Sequence, residues 1–245
     1  MPGTPPRTVV VTGGGTGIGA ATAALFAAAG DDVVITGRRE AVLSRTAADL
    51  GVRHVTFDAA DPASVRDALP KLPPTVHVLV ANAGGNTDRR RPPVPEGDLD
   101  AIAAAWRANF DANVLTTVLT TEALTPRLAD GARVITIGSI AAKQGSGSYG
   151  AAKAAVEAWN VDLARKLGPR GITANVVAPG VTLDTEFFQG TVSKEWVETR
   201  VAPAFDQRAA TPAEIASTVL FLADASASHL TGQVIHVNGG AYTAR

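Results

Sequence analysis

The chain has 245 residues, with 22 Lys plus Arg against 23 Asp plus Glu and no cysteine. That length suits one large α/β domain, spanning 1–245, with a substantial core. A net charge of −1 gives no basic footprint for nucleic acid or an anionic membrane, and the missing thiols exclude disulfides, thiolate metal sites and a cysteine nucleophile.

The first element is carried by VVVTGGGTGIGAATAALFAAAG. Four β-forming residues run into glycines and then an alanine-rich stretch, which predicts a strand at Thr8–Thr12 and a helix at Gly17–Ala29. The spacing is T-G-x-x-x-G-x-G (Thr12, Gly13, Gly17, Gly19), wider than the G-x-G-x-x-G fingerprint. Glycine lets backbone approach a pyrophosphate with no Cβ in the way, and a helix N-terminus adds free N–H groups and a favourable dipole. The second strand, Asp32–Thr36, leads into the arginines of VVITGRRE. A carboxylate there would hold a ribose 2′-hydroxyl, whereas Arg38 and Arg39 suit a 2′-phosphate. NADP(H) is therefore favoured, with NAD(H) as the alternative. Asp58 follows the third strand, Arg53–Phe57, and is either a turn or helix-start aspartate or an acceptor for an adenine amino group.

Helices are predicted at Arg39–Leu50 and Ala63–Leu69, then a strand at Val76–Ala81 and a loop, GGNTDRRRPPVPEGD. A long helix, Asp98–Leu128, precedes a strand at Arg133–Gly138. After it come a helix at Tyr149–Leu167, a strand at Thr173–Val177, a second loop from Pro179 to about Pro212, a helix at Pro212–Ala223 and a last strand at Val234–Val237. Strands such as VHVLVA and RVITIG are apolar at nearly every position, as expected when both sheet faces are covered. The alternation predicts a doubly wound parallel sheet of about seven strands, with ligands beyond the strands' carboxyl ends. No apolar run reaches the length of a membrane span and the N-terminal stretch has no signal core, so a cytoplasmic location is expected.

The stretch SYGAAKAAV holds the chemistry. Tyr149 and Lys153 lie one helical turn apart on one face. An ammonium beside a phenol favours phenolate and lowers a pKa that is ordinarily about 10. Such a phenol can exchange a proton with a carbonyl or alcohol. Ser139 ends a buried strand at its carboxyl edge, where its hydroxyl can hold a substrate oxygen. The four histidines read as structural. Asn113 and its neighbour Asn109 sit inside a predicted helix, where asparagine competes for backbone groups, so each is a candidate for a local distortion or a plain polar contact. Arg89, Arg90 and Arg91 are either a solvated run or a steering patch for an anionic substrate. Phe187, Phe188 and Trp196 lie in the second loop and suit an apolar lid.

Taken in order, T-G-x-x-x-G-x-G, ANAG (Ala81–Gly84), Asn113, Ser139, Tyr149-x-x-x-Lys153 and APG (Ala178–Gly180) resemble the short-chain dehydrogenase/reductase family over nearly the whole chain, with similarity to 3-oxoacyl-acyl-carrier-protein reductases. The resemblance implies a Rossmann fold and an oxidoreductase acting on a small carbonyl or alcohol substrate, with a catalytically silent nucleotide-binding regulator as the alternative. Tyr149 would be the general acid or base. Lys153 would tune it and hold the nicotinamide ribose, Ser139 would orient the carbonyl, and Asn113 would position a proton-relaying water. Thr12, Gly13, Gly17, Ile18, Gly19, Asn82, Ala83 and Gly84 would line the cofactor cleft. Pro179, Gly180, Val181 and Thr185 would cover the nicotinamide. The resemblance also implies a homotetramer built on the long helices, and no metal is called for. Three departures stand out. Thr16 replaces a basic residue common in NADP-preferring relatives, the Ser139–Tyr149 connection is short, and Thr185 comes one residue late, so Thr182 competes for its role.

Overall fold

The computed structural model describes residues 6–188 and 192–244. Among these, seven strands form one sheet: β1 (Thr8–Thr12), β2 (Asp32–Gly37), β3 (Arg53–Thr56), β4 (Val76–Ala81), β5 (Leu128–Ile137), β6 (Thr173–Pro179) and β7 (Val234–Val237). Every neighbouring pair is parallel, in the order β3-β2-β1-β4-β5-β6-β7. The chain leaves β3 and returns beside β1, so the strand order reverses between β1 and β4. A ligand crevice is expected beyond their carboxyl ends.

The helices are α1 (Gly17–Ala28), α2 (Glu40–Leu50), α3 (Pro62–Ala68), α4 (Leu99–Phe110), α5 (Thr116–Leu124), α6 (Ala141–Gln144), α7 (Gly147–Leu167), α8 (Lys194–Val201) and α9 (Pro212–Leu222). They cover both sheet faces because strand side chains alternate with period two. Val10, Val34, Leu79 and Val134 pack with Val65, Leu124 and Leu163 of α3, α5 and α7. Val9, Val11, Ile35 and Val80 point the other way, onto Phe26, Leu43, Ile215 and Val219 of α1, α2 and α9. Two cores thus share one sheet, which is why its central strands are apolar throughout.

The expected elements are present; apart from the added short α6 and small shifts of element ends, three differences stand out. The single helix expected over Asp98–Leu128 is α4 and α5 joined by a π-helical turn at Asp111–Leu115. Strand β5 begins at Leu128 rather than Arg133. Its early part contains Asp130 and Gly131, a pair that reads as a turn, and its register with β4 shifts between Val76 and Val78. The second loop holds a 3-10 turn at Glu186–Phe188 and the helix α8.

One buried side chain ties the sheet to the crevice. Thr12 ends β1, and its Oγ1 accepts the backbone N–H of Asn82 and of Ala83, both at 2.9 Å, at the end of β4. In return, Asn82 Nδ2 donates to the Thr12 and Gly13 carbonyls, both at 3.0 Å. Thr12→Val keeps the shape but strands two part-buried donors. It should cost about 1–3 kcal/mol of unfolding free energy in a urea titration, with Thr12→Ser recovering most of it. A loss no greater for valine than for serine would show that the hydroxyl does not hold the two strands.

Candidate active site

The glycine turn lies over the β1–β4 knot. Gly13 has φ +63, and a Cβ there would sit 2.9 Å from the Ala83 Cα. At Gly19 a Cβ would fall 2.2 Å from the Gly13 carbonyl oxygen, so only glycine lets α1 start this close to the strand end. The turn is also fastened to β2, by Gly14 N–H to the Thr36 carbonyl at 3.1 Å. Ile18 turns inward against the α1–α9 core. The N-cap of α1, Thr16, makes no side-chain cap, and the first turn has no acidic residue. Its leading N–H groups are left for an anion.

Beyond β2, the guanidinium of Arg38 is 3.9 Å from the Asp58 carboxylate, both well exposed. Asp58 also accepts the Ala60 N–H at 3.0 Å. Arg39 stands at the N-cap position of α2, makes no side-chain cap, and reaches across to Glu186 at 2.5 Å. A crevice with an uncapped helix N-terminus, a glycine cradle and two arginines at the end of β2 fits a dinucleotide carrying a phosphate on its adenosine ribose.

On the other side of β4, Ser139 follows β5 and its Oγ accepts the Ala141 N–H at 3.1 Å. Tyr149 and Lys153 lie in the first turns of α7, which begins at Gly147, two residues before the expected start. Both side chains are buried. The amine of Lys153 donates to the Ile137 carbonyl at 2.8 Å and lies 5.9 Å from the Tyr149 ring centroid. Burial pushes the Tyr149 phenol up to about 12, opposed by the Ser139 hydroxyl. Burial likewise pushes the Lys153 amine down to about 8. In the protein alone, desolvation outweighs the expected effect of an ammonium on the phenol.

Asn113 sits in the π turn and is fully buried. Its side chain pairs with Gly85 in both directions, accepting the N–H at 3.1 Å and donating to the carbonyl at 2.9 Å. It also takes the Asn109 carbonyl at 2.9 Å, the acceptor that an unbroken α-helix would give to the Asn113 backbone N–H. The distortion and its cause are the same residue. Gly84 fits beneath it, since a Cβ there would be 2.8 Å from Asn113 Oδ1.

The second loop closes the crevice. Gly180 abuts Asn238, and Val181 accepts the Ala210 N–H at 2.8 Å. Thr185 lies directly over Gly17, whereas Thr182 is buried within the loop. Of the two competing threonines, Thr185 is the one that faces the glycine turn. Phe187 leans on Tyr149 with ring centroids 5.7 Å apart, Phe188 on Phe187 at 5.1 Å, and Trp196 on Phe188 at 5.0 Å. Arg89 stacks over all three loop rings, 4.9 to 5.7 Å from their centroids. Arg89 is therefore a contact of the lid, not merely a solvated charge.

Two supports were not singled out from the sequence. Ser148, beside Tyr149, accepts from Asn109 Nδ2 at 2.8 Å and donates to Asp88 at 3.1 Å. Asn109 also holds the Thr87 N–H at 3.0 Å, so one network fixes the start of α7 to the loop after β4. On the short α6, Lys143 pairs with the buried Glu157 of α7 at 2.7 Å, anchoring the compact Ser139–Tyr149 connection. The helical asparagine was the only sequence signal for the first network. For the second there was none, because the pairing spans two elements.

Comparison with known proteins decides the family. A family model described as enoyl-(acyl carrier protein) reductase matches residues 13–242. The chain belongs to the short-chain dehydrogenase/reductase family. It is 32% identical to the 3-oxoacyl-[acyl-carrier-protein] reductase FabG of Escherichia coli, covering 96% of this chain and 97% of that protein. A solved short-chain dehydrogenase/reductase family protein is 36% identical, with a TM-score of 0.81 over 96% of this chain and 97% of the other. A short-chain dehydrogenase from Burkholderia cenocepacia, crystallised in complex with NADP, is 31% identical, with a TM-score of 0.83 over 96% and 97% of the two chains. The family is one of oxidoreductases, and the fold read from the sequence is the family's own.

The buried lysine gives a test with a definite sign. Its amine titrates at about 8 in the fold against an ordinary 10.5, so the unfolded chain binds more protons between those values. The resulting penalty is fully present below pH 8, where it amounts to roughly 3 kcal/mol at most, and fades as the pH rises to 10.5. Lys153→Met should therefore be the more stable protein at pH 7, by on the order of 1–3 kcal/mol, with the gain shrinking toward pH 10.5. A wild-type-minus-variant difference that stays flat across that range would show that the amine is not desolvated.

Proposed function

We propose that the protein is an NADP(H)-dependent oxidoreductase that interconverts a small carbonyl compound and its alcohol. The observation that carries this reading is the convergence of Ser139, Tyr149 and Lys153 beside a crevice that ends in Arg38 and Arg39. When bound, the nicotinamide supplies or accepts the hydride. Ser139 holds the substrate oxygen, and Tyr149 hands it a proton during reduction or takes one during oxidation. A phenol at about 12 keeps its proton at neutral pH, which suits the acid role. Lys153 binds the nicotinamide ribose and brings positive charge to the phenol as substrate and cofactor replace the lid contact. Asn113 keeps the Gly84–Gly85 backbone in line with the crevice and positions the water that relays protons to Lys153. Pro179, Gly180, Val181 and Thr185 cover the nicotinamide, and Asp58 accepts from the adenine. Preference for the 2′-phosphate is supported by the two arginines, by the absence of an acid at Gly37, and by relatives crystallised with NADP or NADPH.

The apolar aromatic wall of the lid favours a substrate with hydrophobic bulk. A homotetramer is supported by Leu99, Ile102 and Trp106, which form an exposed apolar stripe along α4, with Val161 exposed on α7.

A panel of carbonyl compounds and alcohols, assayed with NADPH, NADH and their oxidised forms at the nicotinamide absorbance, tests the activity. Tyr149→Phe should abolish turnover, by more than about a thousandfold, while the dissociation constant for NADPH stays within a factor of a few. Loss of cofactor binding together with activity would instead assign Tyr149 a structural role. Arg38→Asp should move the kcat/KM ratio toward NADH, and an unchanged ratio would remove Arg38 from phosphate recognition. Light scattering should give four times the 25.0 kDa chain mass, and Trp106→Glu should give a smaller species. A wild-type monomer would end the tetramer assignment.

A further inference from the structure

We propose that Glu186 is a cofactor-selectivity residue, because it competes with the 2′-phosphate for Arg39. This rests on the reading of the crevice as a nicotinamide dinucleotide site. Arg39 stands at the end of β2, where the adenosine ribose is expected. Yet its guanidinium is taken by a carboxylate from the lid, Glu186 Oε2, at 2.5 Å. The neighbouring Arg38 is held more loosely, 3.9 Å from Asp58. An incoming phosphate thus meets one arginine nearly free and one already in a pair. Both members of the Arg39–Glu186 pair are about half exposed, so the contact is weak enough for a phosphate to displace. A phosphate dianion is the stronger partner for a guanidinium.

Glu186 also sits between two working positions of the lid. On one side, Thr185 lies over Gly17; on the other, Phe187 leans on Tyr149. The cleft below this strip is about 870 Å³ and is lined by Thr16, Gly17, Arg39, Arg90, Thr185 and Glu186 among others. A cofactor bearing the 2′-phosphate unfastens the strip from α2 when it takes Arg39. A cofactor without it leaves the strip tied across the glycine turn. Glu186 therefore lowers the affinity for the phosphorylated cofactor and couples its binding to release of the lid.

Calorimetric titration of NADPH, NADH, adenosine 2′,5′-bisphosphate and AMP tests this on the wild type, Glu186→Gln, Arg39→Ala and the double variant. The two adenosine ligands do not reach Tyr149, so the readout is independent of catalysis. Glu186→Gln should tighten NADPH and the bisphosphate about two- to fivefold and leave NADH and AMP unchanged. The gain should vanish in the Arg39→Ala background. An unchanged NADPH affinity in Glu186→Gln, an equal gain for NADH, or a gain that survives Arg39→Ala would each overturn the proposal. If the wild type binds neither dinucleotide, the functional reading falls with it. If the wild type prefers NADPH but Glu186→Gln is silent, only the role of Glu186 is lost.

Discussion

The contact between the Lys153 amine and the Ile137 carbonyl organises the site. It joins the early turns of α7 to the end of β5 at 2.8 Å, and so sets where Tyr149 stands relative to Ser139. It also leaves the lysine short of partners. An ammonium has three donors, and among the described residues this one has a single hydrogen-bond acceptor and no ion pair. The amine is buried, so the charged form is costly until something polar arrives. The same burial holds the phenol protonated. At neutral pH the phenol is thus neutral and the amine still charged, at a desolvation cost that a polar neighbour would reduce. Stability is given up at this point for reactivity, as is common where an active site violates the rules of a good core.

Two further devices hold the surroundings still. Four hydrogen bonds tie Thr12 and Gly13 to Asn82 and Ala83 across the β1–β4 switch point and fasten the floor of the crevice. Asn113 grips Gly85 from a helix that is distorted to let it do so. Between them, Ala83 and Gly84 are held on both sides. A small helix defect and a small strand-end knot thus act on the same backbone segment, and that segment separates the phosphate cradle from Lys153.

Much of this was legible from the residues alone. Parallel strands buried on both faces have nearly continuous apolar sequences, so VHVLVA and RVITIG announced the sheet. The glycines, Tyr149 and Lys153 stood out by local spacing, and Ser139 by its place at the end of an apolar strand. Asn113 was visible because asparagine conflicts with a helix interior, and the conflict proved to be a π turn. What remained hidden depends on contacts between segments far apart in sequence. Nothing local links Lys143 to Glu157, Ser148 to Asp88, or Arg39 to Glu186. The early start of β5 was missed for a different reason. Asp130 and Gly131 carry turn chemistry, and the ladder absorbs them through a shift of register.

Two of the arginines around the crevice share one arrangement. Arg39 and Arg89 at the mouth are each held by a partner, a carboxylate and a group of aromatic rings, while Arg38 lies only loosely beside Asp58. Isolated cations there would draw anions of every kind, since a surface charge discriminates little. Pre-pairing raises the threshold, so only a ligand that offers a better partner in the right place displaces the internal one. The two ends of the crevice differ in what qualifies. A carboxylate pair yields to a phosphate, which is the stronger anion, while a stack of rings yields to a flat or apolar group that replaces the lost contact area. On the proposed reading, selectivity for the dinucleotide and for the substrate would rest on the same principle, applied with different chemistry at positions joined by three consecutive residues of the lid, Thr185, Glu186 and Phe187.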